Sequence, residues 1–313
     1  MTINSYLLPP TSYESVAVGR DNASTSGRTL YWLGLLAKEA RVVVQVMYAL
    51  RFLVGVSMTV PVTGLWNLST LTGLAAWVPV VAAIYLINGI ADIEGDQRNG
   101  SKRPIATGAL SVEAAWRAVG WLVLFGLSAA ALVSYEMVAL SLVMLAVGWA
   151  YSCGPWPLKN TVAGVLIGGS VLGFLTYLAG FVATPGGVLS VDFLVLAGGL
   201  SLWMGVVGGF TKDLKDVPGD RAAGRRTLPV RLGVRRAAVV AAVVAVVFAL
   251  LYAGLVSSVA VALVPHSIGL FLGALAVAAI AGQPPGEGRT VPKWPYRAFM
   301  ITQYFANLLA VWS

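Results

Sequence analysis

From residue 45 to residue 313 the chain is a succession of long apolar runs with short polar interruptions. Each run is close to the roughly 20 residues a helix needs to cross the hydrocarbon core of a bilayer. They lie at about 45–65, 72–92, 112–133, 134–153, 161–183, 189–211, 234–256, 258–281 and 296–313. The divisions near Ser134 and Ser257 join two runs each with very little between them. The pattern predicts an all-α integral membrane protein of about nine transmembrane helices. Residues 1–40 differ: "TSYESVAVGRDNASTSGR" is polar and rich in Ser and Thr. It lacks the basic start and apolar core of a signal peptide. These residues read as a mobile polar cytoplasmic segment ahead of a transmembrane domain at 41–313.

Composition adds weight to this reading. Of 313 residues, 58% are hydrophobic and only 11% are charged, against roughly a quarter charged in a soluble domain. The single Cys153 excludes an intrachain disulfide, and no CxxC pattern offers a metal site. The net charge of +8 needs no nucleic-acid partner. Its 21 Lys and Arg avoid the loops after the first, third, fifth and seventh runs and gather in the N-terminal segment and the loops after the even ones. The positive-inside rule then places the N-terminus and the even loops in the cytoplasm and the C-terminus on the opposite side.

Two even loops echo one another. "DIEGDQRNGSK" begins at Asp92 and "DVPGDRAAGRR" at Asp216. At an offset of 124 residues, Asp92, Gly95, Asp96 and Gly100 fall on Asp216, Gly219, Asp220 and Gly224. Both copies follow inward-running spans, so the repeat is parallel, and two tandem four-helix units plus one helix around a central cavity are expected.

The chemistry sits in these loops. Asn88, Asp92 and Asp96 are four apart and would share one helix face. Carboxylates at the hydrocarbon edge are costly unless something positive binds them. Mg²⁺ is the natural partner, since it takes hard oxygen ligands and shares them with phosphate. In the second loop Asp213, Asp216 and Asp220 stand among Lys212, Lys215, Arg221, Arg225 and Arg226. Pro218 would break a helix running through it, which leaves Asp220 beyond a Pro-Gly turn. Acids trailed by bases suit a metal-bound, highly anionic ligand, and a diphosphate fits. The positive-inside rule accounts for the bases alone but not for the repeated acids.

A third segment, "YSCGPWPLKN" from Tyr151, ends the fourth run with a lone Lys159. It reads either as a turn with interfacial aromatics or as a site where Tyr151 faces a cation and Lys159 holds phosphate. The GxxxG spacings of Gly164, Gly168, Gly169 and Gly173 point to helix packing. His266, the only histidine, reads as a packed polar group. Arg51, inside the first run, should face a polar cavity.

Together these residues resemble the UbiA superfamily of intramembrane prenyltransferases. "NGIADIEGD" is similar to its first NxxxDxxxD motif, and "KRPIATGALS" to the stretch that commonly follows. "DLKDVPGDRAAGRRTLPVRLG" resembles its second motif, with Pro218 where Glu is more usual. "YSCGPWPLK" resembles a segment of its homogentisate- and chlorophyll-type branches. The resemblance implies a nine-helix bundle and two Mg²⁺ ions bound by Asn88, Asp92, Asp96, Asp213, Asp216 and Asp220. It implies an isoprenyl diphosphate held by Arg51, Lys102, Arg103, Lys159 and Lys212. Tyr151, with Tyr85 a further candidate, would stabilise an allylic cation. The expected reaction is Mg-dependent prenyl transfer to a small, electron-rich, aromatic acceptor. The alternative is a membrane terpene cyclase of the same superfamily, which needs no second substrate. A secondary transporter would carry its acids near mid-membrane, whereas these cluster at one mouth.

Overall fold

The structure, a computed structural model, describes residues 25–283 and 293–312. The helices in chain order are α1 (Thr25–Glu39), α2 (Val42–Ser57), α3 (Leu68–Ala91), α4 (Ile93–Arg98), α5 (Val112–Val133) and α6 (Tyr135–Ser152). They continue with α7 (Val162–Val182), α8 (Val191–Trp203), α9 (Gly209–Asp213), α10 (Val217–Ala222) and α11 (Leu228–Leu232). The last three are α12 (Val234–Val259), α13 (Val264–Ala281) and α14 (Trp294–Trp312). Among the described residues there is no strand, only one isolated bridge between Thr161 and Arg226.

The expected polar segment at 1–40 lies outside the described residues for its first 24 positions. From Thr25 to Glu39 it is helix, and Glu39 is completely buried. Seven helices among the described residues are long and apolar enough to cross a membrane, or eight if the bent pair α1 and α2 counts as one span. The protein is a multi-pass integral membrane protein. The seven fall on the second to eighth expected runs. The first run is shorter than its pattern promised, because α2 ends at Ser57 and a turn at Val62–Gly64 follows. The ninth is α14, whose Arg297, Gln303 and Asn307 make it more polar than the rest.

Local chemistry explains where the spans start. Asn67, Ser111, Ser134, Thr161 and Ser190 stand just before α3, α5, α6, α7 and α8. Each side chain accepts a backbone N–H of the first turn, at 2.8–3.2 Å. This satisfies a donor the helix itself leaves unpaired. Ser134 alone separates α5 from α6, as expected. The second division falls at Ala260 rather than near Ser257, because α12 runs on to Val259.

Burial separates inner from outer helices. Two-thirds of the α8–α9 span (67%) and just over half of α3 and α7 (56% each) are buried, against 22% for α5 and 28% for α12. The apolar exposure of Leu124, Phe125, Leu250 and Leu251 on those outer helices is the surface lipid would meet. Inner helices approach closely where a side chain is missing. A Cβ at Gly180 of α7 would lie 3.1 Å from the Gly55 Cα of α2. Polar ties then hold the bundle together: Tyr177 donates to Asn307 at 2.6 Å, joining α7 to α14, and Trp77 donates to Thr176 at 3.3 Å, joining α3 to α7.

Candidate active site

The two acidic loops have the same backbone. Asp92 and Asp216 have φ/ψ of −105°/7° and −96°/9°, and Asn99 and Ala223 have −83°/4° and −81°/5°. Gly100 and Gly224 follow in the left-handed region, at φ 61° and 68°. In each copy the residue after the glycine donates back to the second aspartate's carbonyl, Ser101 to Asp96 at 2.8 Å and Arg225 to Asp220 at 2.9 Å. The glycine is needed there because its backbone would strain any residue with a side chain.

Two expectations change in detail. Asn88, Asp92 and Asp96 do not share one helix, since Asp92 breaks the chain between α3 and α4. Pro218 makes no Pro-Gly turn: it lies in the first turn of α10, where its missing N–H costs nothing. Asp220 therefore sits in a short helix, as Asp96 does. These helices, α4 and α10, pack against each other. Asn99 bridges them, accepting from the Gly219 N–H at 2.8 Å and donating to the Asp216 carbonyl at 3.5 Å.

Charge pairs cross the same seam. Arg225 binds Asp92 with one arm of its guanidinium and Asp220 with the other, the latter at 3.0 Å. Lys159 joins at 2.7 Å from the same Asp92 oxygen. The Lys159 turn is docked there by its own backbone, for the Arg226 N–H donates to the Asn160 carbonyl at 2.8 Å. Burial opposes the charge of Asp92, but Lys159 and Arg225 outweigh it and hold its carboxyl below the usual range. Burial pushes the Asp220 carboxyl up despite Arg225, and Thr227 donates to it at 3.2 Å. Burial pushes the Lys159 ammonium down despite Asp92.

Arg103 is placed differently from its expected role. It is buried, 2.7 Å from Glu39 and 3.1 Å from Asp96, and it also donates to the Tyr85 carbonyl at 3.1 Å. Its guanidinium ties α1, α3 and α4 together instead of pointing outward. Lys102 beside it is exposed. Arg51 lies away from the acids, buried within α2 over the Tyr48 ring, 5.3 Å from its centroid. Asp213 is buried at the end of α9 and makes none of the ion pairs found among the described residues. Asp216 pairs with Lys215 at 2.8 Å, and Asn88 donates to Ser152 at 3.1 Å.

Behind the acids lies a cavity. Asn88, Tyr85, Tyr151 and Lys212 line it, and Arg41 and Tyr48 join them. Much of one wall is bare backbone. Between α8 and α9 a π turn, Met204–Gly208, presents Gly205 and Gly208 to the cavity, and Gly209, the first residue of α9, lines it beside them; such turns recur at functional sites. The GxxxG glycines divide their work. A Cβ at Gly169 would come 3.1 Å from Gly205 Cα, which is helix packing, while one at Gly168 would meet the Tyr151 ring. His266 is buried in α13 and does not line the cavity.

Sequence reasoning passed over Arg225, Glu39, Asn99 and Arg41 as site residues. Arg225 stood in a basic run that the positive-inside rule already explained. Glu39 and Asn99 carry no motif at all. Arg41 had one structural signal only, a left-handed backbone (φ 57°) at the bend into α2, the kind of strain that collects at functional sites.

Metal fit follows from the donor set. Among the described residues no three His, Cys, Asp or Glu side chains converge on a single point. Oxygens of Asp92 and Asp220, one from each motif, do converge on a single guanidinium. Carboxylate oxygens within one cation's reach are a ligand type Mg²⁺ prefers.

Two paired acidic loops beside an apolar, tyrosine-walled cavity in a multi-span helical bundle define a class of multi-pass membrane protein. Residues 48–287 match the UbiA prenyltransferase family, and the chain belongs to that family. It is 35% identical over 176 residues to a probable homogentisate phytyltransferase 2 of the Oryza sativa subsp. japonica chloroplast, covering 53% of this chain and 45% of that protein. It is 32% identical over 158 residues to digeranylgeranylglyceryl phosphate synthase of Pyrococcus abyssi, covering 49% of this chain and 53% of that protein. The chain spans about half the length of the curated relatives it matches. Relatives of both kinds match at similar identity, so what they share is the family. A UbiA homolog from Archaeoglobus fulgidus, solved bound to GPP and Mg²⁺, has the same fold, with a TM-score of 0.68 at 20% identity over 89% of this chain and 99% of that one.

Proposed function

We propose that the protein transfers an isoprenyl group from an allylic isoprenyl diphosphate to a small aromatic acceptor, releasing diphosphate. One observation carries the reading: Asp92 and Asp220, from separate motifs, share Arg225, and Asn88, one helical turn before Asp92, lines a cavity walled by tyrosines. In this reading α2 and α14 complete nine spans, in two tandem units plus one, and the mouth faces the cytoplasm with the C-terminus opposite.

Asn88, Asp92, Asp96, Asp216 and Asp220, with Asp213 beside them, would hold two Mg²⁺ ions. Bound there, Mg²⁺ supplies Lewis-acid neutralisation of the diphosphate. Lys159, Arg225, Lys212 and Arg41 bind its remaining oxygens and stabilise charge developing on the leaving group. Arg225 takes the place first expected for Lys102, which is exposed, and for Arg103, which positions Asp96. Arg51, in contact with Tyr48 rather than the acids, falls outside the diphosphate set. The bond from the allylic carbon to diphosphate oxygen breaks, and a bond from that carbon to the acceptor forms as the acceptor loses a proton. Tyr48, Tyr85 and Tyr151 line the cavity, where their rings exclude water and favour a passing positive charge.

The test is product analysis. Purified protein with Mg²⁺ is given allylic diphosphates of several lengths, alone, with a phenol, or with a glyceryl phosphate of the kind its archaeal relatives are named for. Prenylated phenol with matching diphosphate release is expected. Cyclic hydrocarbon or alcohol formed without acceptor would mean the cyclase alternative. Failure to consume any diphosphate would overturn both.

A further inference from the structure

α1 ends on a buried carboxylate but leaves a long side uncovered. Leu35 and Leu36 are half-buried and Glu39 is fully buried, on the stripe that packs against α3. Leu30, Leu33 and Ala37, spaced i, i+3, i+7, form a second stripe on the adjoining face, and all three are exposed, Leu30 at 67% and Leu33 at 55%. Gly34, four residues from Leu30, borders the stripe, and Lys38 lies on the next face round; both are exposed. An apolar stripe bounded by a basic and a small residue is an amphipathic surface. Among the described residues nothing covers it.

The geometry says what does. α1 meets α2 at a bend of 68°, so where α2 runs into the bundle, α1 lies nearly across it. The bend falls at Arg41, which lines the cavity, and Glu39 at the end of α1 pairs with Arg103 of the first aspartate loop, so α1 sits beside the loops that follow the spans. Trp32, 41% exposed and edge-on to Tyr31 at 6.3 Å, is the kind of aromatic that gathers at that depth.

We propose that α1 is an interfacial helix: its Leu30–Leu33–Ala37 stripe docks on the headgroup–acyl boundary of the leaflet beside the aspartate motifs, with Lys38 turned to the headgroups. The partner is the phospholipid bilayer itself, continuous with the lipid around the bundle. The docking bears on the site because the C-terminal residue of α1 is Glu39, which holds Arg103 at 2.7 Å, and Arg103 holds Asp96 at 3.1 Å. Gly89 leaves room for the pair, since a Cβ there would come 2.6 Å from Arg103 Nη2.

The full chain is tested in phosphatidylcholine–phosphatidylglycerol nanodiscs without any need for turnover. In a Cys153→Ser background, single nitroxide labels are placed by Leu30→Cys, Leu33→Cys, Gly34→Cys and Lys38→Cys, all at exposed positions. Relaxation by oxygen, which partitions into lipid, is compared with relaxation by a water-soluble nickel chelate. The oxygen-to-nickel ratio should be several-fold higher at 30 and 33 than at 38, with 34, at the edge of the stripe, in between. High nickel access at all four positions would place α1 in water and overturn the proposal. Low access to both at 30 and 33 would mean that protein, such as residues 1–24 or a second copy, covers the stripe, which overturns it equally. High oxygen access with no nickel access at all four would make α1 part of a span.

Discussion

At the scale of single residues, the site is a set of carboxylates of which Asp92, Asp96, Asp216 and Asp220 already have a base. That arrangement predicts distinct outcomes for acids and bases. Asp92→Ala, Asp96→Ala and Asp216→Ala should each nearly abolish turnover while the protein remains inserted and folded, and activity should be lost in EDTA and return with Mg²⁺. Full activity in EDTA would sink the metal assignment. Lys159 and Arg225 meet at one Asp92 oxygen, so both are placed to face the leaving group. If they act on charge that develops in the transition state, Lys159→Met and Arg225→Gln should lower kcat and kcat/KM together. The expected loss is about a hundredfold, the low end of what removing one oxyanion donor costs. A rise in KM with kcat unchanged would reduce them to ground-state binding groups, and no change at all would return Lys159 to an interfacial positive-inside residue.

At the scale of elements, short helices and their links carry the precision. α4 and α10 are single helical turns with no stability of their own. They persist because each is closed by a left-handed glycine and because Asn99 joins them. α1 is tied in by the buried Glu39–Arg103 pair. Removing one charge of such a pair strands the other, so Glu39→Gln should destabilise the fold by about 3 kcal/mol, the low end for a buried pair because Arg103 keeps Asp96. The unfolding midpoint in detergent reads this directly. A Glu39→Gln, Arg103→Gln double variant should lose less than the sum of the single losses, since neither charge is then left unpaired. Additive losses would show that the two residues act independently.

At the scale of the whole molecule, orientation and count remain tied to charge. The loops carrying Lys102 and Arg225 lie on one face of the bundle, because α4 and α10 pack together. With basic residues gathered there, that face should be cytoplasmic. In a Cys153→Ser background, Lys102→Cys and Ala223→Cys should resist a membrane-impermeant thiol reagent in sealed cells and react after permeabilisation. Efficient labelling from outside at either position would reverse the orientation and with it the proposed nine-span path.

Much was legible in the sequence alone. Apolar runs of membrane length mark spans because an unpaired backbone in lipid must close on itself as helix. The division near Ser134 held because its side chain accepts a first-turn N–H that α6 leaves free. The 124-residue echo carried through to matching backbone angles, since the same Gly and Asp spacing imposes the same local turn. What required tertiary structure was which charge meets which. Arg225 and Arg103 are both bases following an acid motif, yet one spans the two motifs and the other is sealed against Glu39, 64 residues away. Sequence spacing determines contacts within a turn or two of helix; pairs that close across the bundle depend on how the helices cross, and no local pattern encodes that.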